Sequence, residues 1–141
     1  PASLFVATFI GSPAMNIVNG QIVNNTLSIG HHQLAYCEGG MSQAVCVGLR
    51  PEHLKVVPND QAQFTLSVTL TEALGADLLV YGHIAGTESL VTLRLEGHSK
   101  VVEGDQLPLA IKPHNLHVFE AESGKRLTLD VKAHSNERVA I

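Results

Sequence analysis

The chain has 141 residues, 45% of them hydrophobic and 16% charged, with a formal net charge of −4. That length fits one ordinary domain or two small β modules sharing a core, and the composition argues against disorder. Nine Lys and Arg, aromatics at 4% and no Trp argue against a nucleic-acid surface, which needs clustered cations or stacking platforms.

In chain order, Leu4, Phe5 and Phe9 fall at helical spacing behind Pro1, which suits a first helical turn. Gly11-Ser12-Pro13 ends that helix, so one short N-terminal helix is expected over 1–12. Everything afterwards reads as β. Val45, Val47 and Leu49 alternate around Ala44, Cys46 and Gly48. Phe64, Leu66, Val68 and Leu70 alternate with polar residues, predicting a strand buried on one face. Asp77 to Ile84 is a more continuous apolar run, predicting burial on both faces. Val91, Leu93 and Leu95 alternate again, as do Leu107, Leu109 and Ile111. Turn signals fall at Asn24-Asn25, Glu38-Gly39-Gly40, Pro58-Asn59-Asp60, Leu74-Gly75, Ala85-Gly86, Glu103-Gly104-Asp105 and Ser123-Gly124. Short strands punctuated this densely predict an all-β sandwich or barrel. The pattern fades after Leu129, so 130–141 is expected to be a tail, loosely held from Ala133 on.

No apolar run approaches the ~20 residues that span a bilayer, and no secretory signal opens the chain. The start at Pro1, directly in helix, reads as a piece of a longer protein. Cys37 and Cys46 read as reduced, structural thiols of a cytosolic protein.

One internal repeat is visible. Gly48-Leu-Arg-Pro-Glu-His-Leu-Lys-Val-Val57 is echoed by Ala110-Ile-Lys-Pro-His-Asn-Leu-His-Val-Phe119, with the two prolines 62 positions apart. In each copy a strand delivers a basic residue, Arg50 or Lys112, in the extended conformation that precedes proline. Proline then starts a single helical turn that ends on a core leucine, Leu54 or Leu116, and a second strand follows. Such a unit, duplicated in an all-β chain, predicts two interleaved oligonucleotide/oligosaccharide-binding (OB-like) barrels.

Chemistry-bearing residues are sparse. His31-His32 would point to opposite faces of a strand, which does not suit two ligands to one metal. No nucleophile elbow is present, and no catalytic or metal-ligating residue is assigned. The chain also lacks a Gly-x-x-x-x-Gly-Lys-[Ser/Thr] phosphate loop, an apolar strand ending in paired acids and a Ser-Gly-Gly-Gln signature. It is not expected to be an enzyme or to hold a cofactor.

The segments Phe5-Val-Ala-Thr-Phe-Ile-Gly-Ser-Pro-Ala-Met-Asn16, Gly48-Leu-Arg-Pro-Glu-His-Leu54, Leu74-Gly-Ala-Asp77 and Leu116-His-Val-Phe119, in this order, closely resemble the C-terminal region of bacterial ABC-importer ATPases. These energise uptake of maltose, other carbohydrates or glycerol-3-phosphate, and the resemblance covers roughly 1–129. It implies tandem interleaved OB-like (TOBE) barrels over 13–129, with 1–12 as the last helix of a nucleotide-binding domain that would hold ATP and Mg. It also implies a regulatory and dimerisation module, peripheral on the cytoplasmic side of the inner membrane. The implied partners are its own nucleotide-binding domain, a second copy, permease subunits through the parent protein and a cytoplasmic regulatory protein, with no nucleic acid among them. Gly48, Arg50 and Glu52 match a region of the maltose-importer relatives that senses a partner or the other subunit. Alternatively, Glu52 merely suits the dipole of the turn behind Pro51 and Arg50 pairs locally. A second resemblance is carried by Asn16, Gly20 and Ile22, which are similar to the opening of small molybdate-binding domains. It implies an oxyanion or small-solute sensor, although Ala14 and Met15 stand where that family has polar groups.

Overall fold

The computed structural model describes residues 14–39 and 41–133. The helix expected over 1–12 and the end of the tail lie outside those residues. Eleven strands are described: β1 (Asn16–Val23), β2 (Thr26–Ile29), β3 (His32–Glu38), β4 (Gln43–Leu49), β5 (Lys55–Val56), β6 (Phe64–Leu74), β7 (Asp77–Ile84), β8 (Leu90–Glu96), β9 (Gln106–Ala110), β10 (His117–Glu120) and β11 (Asp130–Lys132). They form two curled sheets, one ordered β10-β4-β1-β2-β3-β11 and the other β5-β9-β6-β7-β8, with every pairing antiparallel. The all-β, two-half-barrel architecture is the one the repeat implied.

Turn chemistry sets the hairpins. Asn24 and Asn25 both take positive φ between β1 and β2, the conformation of a two-residue hairpin turn that asparagine tolerates. Gly75, Gly86 and Gly104 supply positive φ at turns read from the sequence.

The repeat folds as two matching units. Arg50 and Lys112 are both extended (φ/ψ −75/136 and −73/144) ahead of 3-10 turns at Pro51–His53 and Pro113–Asn115. Leu54 and Leu116 close those turns and are buried in the core. Each unit then crosses between sheets. The first leaves β4 and enters β5, which pairs with β9; the second leaves β9 and enters β10, which pairs with β4. Lys55 lies across from Ala110 as His117 lies across from Gly48, so the two units exchange strands under a local pseudo-twofold relation.

The sheets enclose one apolar cluster that includes Ile22, Leu27, Leu34, Val47, Leu66, Ile84, Leu93 and Leu109. The inward positions of β4 and β8 are those predicted. Three elements differ from expectation. In β6 the alternation holds through Val68, but a register shift between Val68 and Leu70 turns Leu70 outward, to 58% exposure. Beyond that bulge Thr71 and Ala73 take the side that faces Val80 and Leu78. Strand β7 is buried on one face only: Leu78, Val80, Gly82 and Ile84 are inward, while Leu79 and Tyr81 are half-exposed. The third is Asp130–Lys132, within the expected tail, which pairs with β3 as an edge strand. Lys132 there lies 3.6 Å from Glu38 and 3.5 Å from Asp130.

Two amide side chains tie the sheets together. Asn16 Nδ2 donates to the carbonyls of Leu49 (2.9 Å) and Thr92 (2.8 Å), and Asn16 Oδ1 accepts the Thr92 N–H (2.8 Å). A primary amide thus occupies both main-chain groups of Thr92 on β8, an edge strand, which leaves that stretch unavailable for further pairing. At a second junction Gln63 Nε2 donates to the Leu34 carbonyl (2.5 Å) and Oε1 accepts the Ile111 N–H (2.6 Å).

Candidate functional site

The residues singled out from the sequence meet at the corner where the first repeat leaves β4. Gly48 is buried, and it is small for a reason. A Cβ built on it would stand 2.7 Å from Sδ of Met15 and 3.2 Å from Cβ of His117. Gly48 therefore shapes this face from below. Arg50 is half-buried at the head of the turn. Glu52 is exposed in its first turn, where a carboxylate suits the unpaired N–H groups, and its main-chain oxygen accepts from Lys55 Nζ (3.0 Å).

Three cationic or titratable side chains join Arg50 here, and the sequence did not single them out. Gly48 and His117 are cross-strand partners. Arg126 Nη2 donates to His117 Nδ1 (2.5 Å), and its guanidinium carbon lies 5.7 Å from the centroid of the fully buried Phe119 ring. Accepting that bond places the proton of a neutral imidazole on Nε2. Burial, then the charges of Arg126, Arg50 and His53, push His117 below the ordinary histidine range. The Nδ1 of His53 is buried and has no hydrogen-bond partner. Among the described residues no carboxylate forms an ion pair with Arg50, His53, His117 or Arg126. The repeat offset could have signalled His117, which occupies the place of Lys55 in the other copy. Nothing local signals Arg126, which follows the Ser123-Gly124 turn and reaches the corner only because that segment folds back along β10.

The Asn16 position does not present an open oxyanion site, because both ends of its amide are committed to Leu49 and Thr92. Gly20, next in that pattern, has Ser28 O and Val47 at the place of a Cβ. His31 lies in the turn between β2 and β3 and is exposed, whereas His32 opens β3 and is half-buried. His32 Nε2 donates to the Ala85 carbonyl (2.7 Å), and its ring stands edge-on to Phe64, which makes it a structural histidine. Cys37 and Cys46 are both free thiols, and burial followed by the Asp130 charge raises Cys37 above the usual thiol range. Among the described residues no three His, Cys, Asp or Glu side chains are grouped to hold a metal ion, and no helix is long and apolar enough to cross a membrane.

Comparison with known proteins places these features in a family. Residues 47–119 match the TOBE domain model and residues 11–54 match the MalK OB fold domain model. The sn-glycerol-3-phosphate import ATP-binding protein UgpC of Psychromonas ingrahamii is 38% identical over 146 aligned residues, covering 99% of this chain and 39% of that protein. The proteins of the same name from Ruegeria sp. and Cereibacter sphaeroides are 38% and 39% identical, each covering 90% of this chain and 36% of their own length. The chain thus spans little more than a third of the relatives it matches. With the TOBE match covering both copies of the repeat and the exchanged strands between them, the chain belongs to the TOBE-domain family.

Proposed function

We propose that this chain is the regulatory and dimerisation domain of the ATP-binding subunit of an ABC importer for glycerol-3-phosphate or a sugar, on the cytoplasmic face of the bacterial inner membrane. The observation that carries the reading is the match of nearly the whole chain to little more than a third of proteins named import ATP-binding proteins. The remainder of such a protein has room for the phosphate loop and signature that this sequence lacks. On this reading the chain hydrolyses no ATP itself; ATP and Mg belong to the nucleotide-binding domain of the parent. Permease subunits are engaged through that parent.

The mechanism is mechanical. A persistent symmetric contact tethers two ATPase halves while they open and close, and a docked cytoplasmic regulatory protein biases them toward rest. Two stapled half-barrels around one core suit a rigid tether. The exposed Glu52, at the head of a turn fixed by Pro51, suits a contact that must hold its geometry.

Sedimentation equilibrium of the 141-residue chain across a concentration series tests this. A dimer that dissociates only on dilution, and is weakened by Glu52→Lys, is the expected result. A monomer at every concentration overturns the dimerisation role of these residues.

A further inference from the structure

A groove lies where the turn joining β7 to β8 overhangs the sheet that carries β1 and β2. It measures about 440 Å³, a size that suits a small-molecule site. Ile17 and Ile29 give it an apolar wall, and Asn19, Glu88 and Ser89 give it a polar rim. Ile17 and Asn19 share one face of β1, and the buried Ile29 closes β2.

Local bonding fixes the shape of this groove without using its rim. In the β7–β8 turn Thr87 Oγ1 donates to the Ile84 carbonyl (2.8 Å) and accepts the Ser89 N–H (3.1 Å). The Ile84 N–H donates to the Ser89 carbonyl (3.0 Å), and the Ala85 N–H donates to the Thr65 carbonyl (2.8 Å). The Ala85 carbonyl in turn accepts from His32 Nε2, which ties this turn to the start of β3. Gly30, at φ 58°, has Thr87 Cγ2 3.1 Å from the place of a Cβ, so the β2–β3 turn lies directly against the overhang. Among the described residues the Asn19 amide, the Glu88 carboxylate and the Ser89 hydroxyl make no hydrogen bond or ion pair. The frame is fixed, and its three polar groups are unspent.

The lining also selects a ligand class. Among the described residues that line the groove Glu88 alone is charged, and its sign repels an anion. A cation is poorly served, because neither a second carboxylate nor an aromatic face lines the groove. A carboxylate accepts from two hydroxyls at once, whereas a primary amide and a serine hydroxyl each donate and accept. Set beside two isoleucines, which suit a C–H face, these groups fit a neutral molecule with several adjacent hydroxyls.

We propose that the groove between β1 and the β7–β8 turn binds a small neutral polyhydroxylated molecule, its hydroxyls on Asn19, Glu88 and Ser89 and its carbon face on Ile17 and Ile29. The site uses none of Gly48, Arg50 or Glu52, and it does not depend on the tether reading.

The test is a titration of the isotopically labelled 141-residue chain with sorbitol, following the main-chain amide signals of Asn19, Gly30 and Ser89 by NMR. A second arm uses methyl glucopyranoside, and whichever saturates at the lower concentration identifies an open chain or a ring. A saturable shift confined to the groove is expected. Apparent affinity should weaken about tenfold in Glu88→Ala, which loses charge-assisted bonds, and about fivefold in Asn19→Ala. Glu72→Ala, at an exposed position of β6, should bind as the parent does. General exclusion of a polyol from protein surfaces moves signals throughout the chain and grows with concentration; that pattern from both probes overturns the site. So does a shift that survives both groove substitutions, or one that butylammonium saturates where neither polyol does. Circular dichroism of each variant separates loss of binding from loss of fold. The dimer measurement above fails or succeeds independently of this one.

Discussion

Replacing Asn16 by alanine removes a side chain that touches no ligand, yet it should be among the more damaging polar substitutions in the chain. Three hydrogen bonds of 2.8 to 2.9 Å disappear together, and two of them serve the main-chain groups of one residue, Thr92. A neutral intramolecular bond contributes about 1 kcal/mol net, and an orphaned partner adds desolvation cost where water cannot reach it. Asn16 is half-buried, so water recovers part of that cost, and the expected loss is about 2–3 kcal/mol. Asn16→Asp is the sharper probe. The carboxylate keeps the acceptor for the Thr92 N–H but sets a negative oxygen against the Leu49 and Thr92 carbonyls. At neutral pH it should therefore destabilise at least as much as alanine, with partial recovery in acid as protonation restores one donor. With no Trp in the chain, urea unfolding is followed by far-UV circular dichroism. The midpoint should fall while the m-value stays constant. A shift of Asn16→Ala worth less than about 0.5 kcal/mol, the range of an ordinary surface substitution, would refute the claim that this amide joins the sheets.

Other consequences follow from the same geometry. Because burial, then Arg126, Arg50 and His53, hold His117 below its unfolded value of 6.5, the unfolded chain takes up that proton first as pH falls. Stability should therefore decline from pH 6.5 down to the lowered folded value and level off below it, and His117→Gln should flatten that part of a urea-midpoint-against-pH curve. Gly82→Ala should cost about 2 kcal/mol or more, since its Cβ would meet the Ser67 main-chain oxygen at 2.2 Å. Gly48→Ala should cost less than that, about 1 kcal/mol, because it meets the movable end of Met15 and presses on Cβ of His117 only at 3.2 Å, not on a main-chain oxygen; equal unfolding midpoints for the two would contradict this. The buried Cys37 thiol, raised above its usual range, should react with a disulfide reagent more slowly than half-buried Cys46 in the native chain. Urea should abolish the difference.

Local rules carried much of this protein into legible form. Proline fixes its own φ and biases its predecessor, so Arg50-Pro51 and Lys112-Pro113 could be read as twin strand-to-turn corners, and both fold with nearly the same backbone angles. Period-two alternation identified the inward faces of β4 and β8, and asparagine and glycine marked the hairpin turns. Two of the four motifs that carried the family resemblance, Gly48–Leu54 and Leu116–Phe119, lie on those same corners. What tertiary structure alone decided is where distant segments meet. The bulge that turns Leu70 outward is a property of β6 registered against β7, and the alternating pattern of β6 by itself does not reveal it. Asn16 finds Thr92 76 positions away and Gln63 finds Ile111 48 positions away, because the sheets bring unpaired main-chain groups to them. The cationic corner has the same origin: Gly48, His117 and Arg126 lie in three separate stretches of chain and become neighbours only when β10 docks on β4 and the following segment folds back. Sequence periodicity sets backbone angles and faces, which are local, whereas the partners of a polar side chain are set by long-range pairing.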